Sequence, residues 1–203
     1  MILSHIIVAI AWIVYGAIHS IFASTSVKKK MKATMGNAYI SYRFWYSILA
    51  FLFLLMIVIY QITLPTFNLY QRNFYTNITG SLIAGGGFYI MAICIKNYFN
   101  KLSGIEWLTK NEDTVAIGTE LVMKGIHKKV RHPLYLGTFL FIWGLLVIYP
   151  TGTMLVCDIV ITLYTLIGIR FEERKLLVQF GEQYARYMRD VPMIVPKIYP
   201  LTP

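Results

Sequence analysis

The sequence predicts an all-α integral membrane protein of about five transmembrane helices, closed by a cytoplasmic interfacial helix near its C-terminal end. Three observations carry that expectation. Hydrophobic residues make up 57% and charged residues 14% of the 203 positions, too apolar for an ordinary soluble domain. The apolar residues gather into runs close to the roughly 20 residues that cross a bilayer. The basic residues fall almost entirely into alternate segments between those runs.

The runs lie at 2–22, 44–64, 78–95, 134–149 and 153–169. The first is of spanning length and meets no small-residue cleavage site, so it is expected to remain as a span rather than act as a removable signal. The third carries Gly85, Gly86 and Gly87, which permit close approach of a neighbouring helix. The last two are short and separated only by Pro150, Thr151 and Gly152, which reads as a tight helical hairpin. One domain over 1–203 is expected, with N-terminal spans at about 2–64 and a catalytic core at about 78–196.

Lys28, Lys29, Lys30, Lys32 and Arg43 lie between the first and second runs. Lys96, Lys101, Lys110, Lys124, Lys128, Lys129 and Arg131 flank or fill the segment between the third and fourth, and Arg170, Arg174, Lys175, Arg186, Arg189 and Lys197 follow the fifth. With five spans all three segments share one side, and of 19 basic residues only Arg72 falls opposite. The positive-inside rule therefore places the N-terminus outside and the C-terminus in the cytoplasm, in a plasma or inner membrane if the source is microbial. The net charge of +10 is accounted for by topology and anionic lipid, not by nucleic acid. Cys94 and Cys157 are expected at opposite depths and so unbridged. No C-x-x-C or H-E-x-x-H spacing occurs, the four histidines are scattered, and no metal site is expected.

The basic stretch 118–137 ends in Arg131-His132-Pro133-Leu134-Tyr135, which opens the fourth apolar run. Proline favours the first helical position and keeps the residue before it out of the α region, so a helix is expected to start at Pro133 with His132 as its cap. A helix N-terminus with an arginine fork beside it can seat a carboxylate or phosphate. A second element follows the fifth run: Arg170, Phe171, Glu172, Glu173, Arg174 and Lys175, then Phe180, Gly181, Tyr184 and Tyr187, then Val191 and Pro192. Leu176, Leu177, Phe180, Tyr184 and Tyr187 recur at helical spacing, with Glu182, Arg186 and Arg189 on the other side, which predicts an amphipathic interfacial helix over 170–189. Acids so close to hydrocarbon are costly and should meet a cation. Arg170, Arg174 and Lys175 are the local candidates, and a bound cationic group is the functional one.

Together these segments resemble the isoprenylcysteine carboxyl methyltransferase family of membrane enzymes. Leu121, Val122, Gly125, Arg131, His132, Pro133, Tyr135 and Gly137 match its first motif, and Glu172, Glu173, Leu176, Phe180, Gly181, Tyr184, Tyr187, Val191 and Pro192 its second. His127 stands where the family usually has Tyr. More weakly, Ala17, Ile18, His19 and Ser20, with Val27, Lys28, Gly36, Tyr42, Arg43 and Tyr46, are similar to the NnrU-like branch and to bacterial thiol S-methyltransferases of the same superfamily.

The resemblance implies S-adenosylmethionine as cofactor and a lipophilic or small methyl acceptor reached from the bilayer, with the site facing the cytoplasm. It implies a cofactor pocket lined by Thr119, Glu120, Leu121, Val122, Gly125, His127, Arg131, His132, Pro133, Tyr135 and Glu172, the cofactor carboxylate lying near Arg131 and its cationic groups near Glu172 and Glu173. Glu173 and Arg170 are the expected catalytic pair, Glu173 either reaching the acceptor or pairing with Arg170 at i−3. An acceptor thiol must lose a proton, and Glu173 or His127 could assist. Two alternatives stand beside this reading. One is an NADPH-dependent sterol-type reductase, whose R-H-P-N-Y motif is broken here by Leu134. The other is a non-enzymatic NnrU-like membrane protein.

The charge asymmetry fixes an accessibility experiment. In intact cells, an impermeant thiol reagent should label Arg72→Cys and fail to label Lys129→Cys or Arg186→Cys. Labelling at position 129 from outside overturns the five-span orientation.

Overall fold

The computed structural model describes residues 2–103, 121 and 123–197. Among them the regular elements are helices: α1 (Ile2–Ala23), α2 (Thr25–Met35), α3 (Tyr42–Thr63), α4 (Phe74–Ser103), α5 (Pro133–Ile148), α6 (Gly152–Phe180) and α7 (Glu182–Asp190), with short 3₁₀ turns at Gly36–Ser41 and Gly125–Lys128. Four of them contain stretches long and apolar enough to cross a membrane: Ile2–Ala23, Phe44–Thr63, Phe74–Lys96 and Gly152–Phe180. The fourth expected span, α5, is apolar but has 16 residues. At 1.5 Å per residue it covers about 24 Å, short of a hydrocarbon core of about 30 Å. The protein is thus the expected all-α membrane protein. The connection between the last two apolar runs is as short as expected: α5 ends at Ile148 and α6 begins at Gly152.

Contacts divide the chain into two compact units. The first includes the residues up to Gln71 together with Pro150–Tyr164. Ser4, Val8, Trp12 and Gly16 are the buried residues of α1, four apart and so on one face of the helix. Val8 and Trp12 form a core with Cys157, flanked by Leu54, Ile57, Val160 and Ile161. The Trp12 indole donates to Gln61 Oε1 at 2.8 Å, which satisfies two polar groups where water is absent. Gly16 is glycine for lack of space, since a Cβ there would meet the Tyr164 ring at 2.9 Å. The turn before α6 is held by Leu69 N–H to Pro150 O (2.7 Å) and Gly152 N–H to Phe67 O (2.9 Å). Asp158 is buried in this unit, and neither carboxylate oxygen has a hydrogen-bond partner among the described residues. The two cysteines are free, as expected.

The second unit includes Arg72–Asn97, the stretch ending at Tyr149 and the residues from Thr165 onward. Here α4 and α5 pack antiparallel through small residues. A Cβ on Gly80 would meet Ile148 and the Gly144 carbonyl; one on Gly144 would meet Ala84; one on Gly87 would meet the backbone of Phe141 and Gly137; and one on Gly137 would meet the Gly87 carbonyl at 2.9 Å. Backbones this close gain van der Waals contact that lipid tails cannot supply. Of the expected glycine run only Gly87 lies in the seam. Gly85 and Gly86 have nothing within 4 Å of a Cβ position.

The C-terminal helix differs from expectation. No break occurs at Arg170: α6 continues unbroken to Phe180, and Gly181, at φ +51°, makes the turn into α7. The Leu/Phe/Tyr stripe read as an interfacial face is turned inward. Tyr184, Tyr187 and Val191 are buried together, packed by Leu121, Met123, Leu176, Leu177, Phe180 and Met188. On the outer face Glu182 pairs with Arg189 at 2.8 Å and with Arg186 at 3.6 Å, and the hydrogen bond from Arg189 holds the Glu182 carboxyl below its ordinary range.

The glycine seam predicts a contrast between neighbours. Gly87→Ala should lower the melting temperature in detergent, by the equivalent of about 1–3 kcal/mol, because a methyl is forced against backbone. Gly86→Ala, facing open space, should be neutral or stabilising by up to about 1 kcal/mol. Equal losses at both positions would dissolve the seam as an explanation.

Candidate functional site

The site is built where the start of α5 meets the far end of α6. Pro133 occupies the first turn of α5 with His132 at its cap, as the sequence predicts. From Gly152 to Glu172 the helix rises about 30 Å, so α6 delivers its two acids at the end of a span's length of helix. They are one residue apart and point to different surroundings: Glu173 is buried and Glu172 exposed.

Glu173 Oε1 accepts from Arg131 Nε at 2.8 Å and lies 3.1 Å from His132 Nε2; the three side chains are 10%, 8% and 6% exposed. The remaining Arg131 donors turn to the C-terminal segment, where Nη1 reaches the carbonyls of Met188 (3.0 Å) and Val191 (2.5 Å). The backbone follows: Arg131 N–H donates to Pro192 O at 2.9 Å and His132 N–H to Met193 O at 3.0 Å. One carbonyl of the last turn of α7 and three successive ones after it thus serve two residues before α5, which gives the Val191-Pro192 pair its place.

This arrangement adds to one expectation and corrects another. Arg131, expected to seat a cofactor carboxylate, gives Nε to Glu173 and Nη1 to two backbone carbonyls, so it also holds the cluster together. The i−3 pair between Arg170 and Glu173 is not formed: Arg170 is exposed, and among the described residues Glu173 takes its cations from the segment before α5. A long-range partner is invisible to spacing rules, and a forked guanidinium explains why Arg serves where Lys could not.

Glu172 Oε2 accepts from the Tyr135 hydroxyl at 3.2 Å, and the Tyr135 ring stacks on His132 with centroids 5.7 Å apart. One acid, a phenol and an imidazole therefore line one surface. Gly125, at φ +61°, begins the turn that carries His127, a conformation that favours glycine. The His127 carbonyl accepts from the Tyr187 hydroxyl at 2.6 Å, and its Nδ1 lies 3.3 Å from the Arg131 carbonyl. Burial pushes the His127 imidazole below its ordinary value, the Arg131 carbonyl partly opposes this, and His132 adds to it. Tyr184 is driven well above the usual phenol range, by burial first and by Glu173 second. Of the other expected pocket residues, Leu121 packs against the Tyr184 cluster, whereas Thr119, Glu120 and Val122 lie outside the described residues. Tyr187 and the carbonyls of residues 188–193 were not singled out from the sequence, although the motif match included Tyr187, Val191 and Pro192.

A family model described as phospholipid methyltransferase matches residues 75–183, more than half of the chain and both halves of this cluster. Among curated proteins, methanethiol S-methyltransferase 2 of Bradyrhizobium diazoefficiens is 40% identical over 74 residues, 36% of this chain and 28% of that protein. The methanethiol S-methyltransferase of Crocosphaera subtropica is 43% identical over 72 residues, again 36% and 28%. That of Mycobacterium tuberculosis is 38% identical over 71 residues, 35% and 28%. The chain thus matches under a third of the length of these relatives. No solved structure matches it significantly.

Removing one partner of a buried ion pair strands the other, at about 3–5 kcal/mol. Arg131→Met and Glu173→Gln should each lower the melting temperature sharply, and the double variant should cost clearly less than the sum. Arg170→Gln should shift stability by no more than about 0.5 kcal/mol; a loss like that of Arg131→Met would restore the local pair. His127 adds a pH dependence. Its lowered value makes protonation unfavourable in the folded state, so its contribution is present above the ordinary imidazole value of about 6.5 and is lost as pH falls through the lower folded value. Between about pH 7.5 and about pH 5.5 the wild type should lose more melting temperature than His127→Gln, and parallel curves would contradict the assignment.

Proposed function

The chain belongs to the phospholipid methyltransferase family, and from that premise we propose that it is an S-adenosylmethionine-dependent membrane methyltransferase acting on a small thiol, with its site toward the cytoplasm. The observation that carries the reading is the exposed Glu172–Tyr135 pair beside His132, fixed from behind by the buried Arg131–Glu173–His132 cluster. The thiol is favoured because the relatives reported above are named for methanethiol.

The residues present fit one end of this cofactor. Glu172 is an exposed carboxylate oriented by a phenol, suited to an amino or sulfonium group, while aromatic faces at His132 and Tyr135 attract the same positive charge. The other end, first assigned to Arg131, is reassigned to residues near 119–122. When bound, S-adenosylmethionine supplies an electrophilic methyl group on sulfur. The chain's own part is to hold Glu172, Tyr135 and His132 in fixed geometry, to exclude water, and to take the acceptor's proton. Its lowered imidazole value keeps His127 in the proton-accepting form near neutrality. Arg131 and Glu173 act as positioning residues. Orientation and desolvation account for most of the acceleration in such a displacement.

Titration calorimetry with S-adenosylhomocysteine tests the site. Glu172→Gln keeps the shape and removes the charge, and should weaken binding by about 10–100-fold, the worth of a hydrogen bond to a charged group. Lys128→Gln should change it little. Native membranes given labelled S-adenosylmethionine and methanethiol should yield labelled dimethyl sulfide. No product with any thiol, together with unchanged affinity in Glu172→Gln, would sink the proposal.

A further inference from the structure

The first unit contains a groove that the methyl-transfer reading does not use. It has a volume of about 480 Å³ and lies between α1 and α3, lined among others by Tyr15, His19, Tyr42, Tyr46, Phe53 and Ile57. That volume falls in the range of roughly 300–1,000 Å³ typical of ligand sites. The groove is graded along its length. Toward Phe53 and Ile57 the lining is hydrocarbon and aromatic. At the other end the Tyr46 hydroxyl meets His19 Nδ1 at 2.7 Å and the His19 carbonyl at 2.9 Å, and Tyr39, Tyr42 and Tyr46 stack in series with centroids 5.6 Å and 6.2 Å apart.

Beyond that polar end stands α2. Its Ser24 cap accepts from Val27 N–H at 3.3 Å, and its other end is Gly36 at φ +52°. Val27 and Met31 are half-buried on one face, and Met35, one turn further on, lines the groove. Lys28, Lys29, Lys30 and Lys32 crowd about one turn of the same helix. A topology signal needs the lysines alone. It does not account for a graded groove that is lined, through Met35, by the same helix that carries them.

We propose that this groove and α2 together form a selective site for one anionic phospholipid of the leaflet that faces α2. The headgroup phosphate lies on the lysine turn, the glycerol region meets the Tyr42–Tyr46–His19 end, and one acyl chain runs toward Phe53 and Ile57. Charge complementarity selects the anionic lipid, and the polar-to-apolar gradient selects an amphiphile over a free phosphate, which would find no partner below the tyrosines.

Native mass spectrometry of the detergent-solubilised full chain can measure this, using phosphatidylglycerol and phosphatidylcholine with the same acyl chains as probes. The expected result is one phosphatidylglycerol retained in clear preference to phosphatidylcholine. Each lysine near an anionic lipid surface is worth about a fivefold change in affinity, so Lys29→Gln with Lys30→Gln should cost phosphatidylglycerol at least about tenfold. Phosphatidylcholine should be unaffected. Ala50→Phe, or Leu49→Trp should the first not fold, fills the groove and should lower phosphatidylglycerol retention with the lysines intact. Equal retention of both lipids by the wild type, the behaviour of an annular shell, overturns the proposal. So does full phosphatidylglycerol preference in the lysine variant or in a folded groove-filled variant.

Discussion

A single buried carboxylate organises the cluster where the start of α5 meets the far end of α6. Glu173 would be prohibitively costly where it stands without a cation, and Arg131 would be equally so without an anion. Each makes the other tolerable, and the geometry they need fixes the rest. Arg131 brings α5's first turn against the end of α6, its remaining donors fasten the segment after α7, and His132 is turned toward the same carboxylate. Glu172 and Tyr135 then meet on the open side. The chemical surface is a by-product of solving a burial problem behind it.

Much of this was legible in the residues. The all-α membrane class, the start of α5 at Pro133 and the turn at residues 150–152 follow from apolar periodicity and proline geometry, whereas α2, read as part of a loop, carries too few apolar residues to announce itself. Three further features were not legible, each for a physical reason. The Arg131–Glu173 pair joins residues 42 apart, and local charge rules see only neighbours, so the nearby Arg170 was favoured. The 170–189 stripe is amphipathic whether it faces lipid or protein, and periodicity alone does not say which. The small-residue seam of α4 and α5 depends on pairing two helices, so Gly80 and Gly144 looked unremarkable while the conspicuous Gly85 and Gly86 contribute nothing to it.

The short α5 and the long α6 also belong together. A helix of 16 residues cannot itself reach across the hydrocarbon, whereas one of 29 overshoots it. Along α6 the acids stand about 30 Å from Gly152, close to the thickness of a hydrocarbon core.

The carbonyls of residues 188–193 give the cluster an order in time. They are made after both Arg131 and the helix that carries Glu173. Until they emerge from the ribosome, the arginine lacks the acceptors that complete its fork. The helix that carries Glu173 is therefore made before the acceptors that complete the hydrogen bonds of its arginine partner.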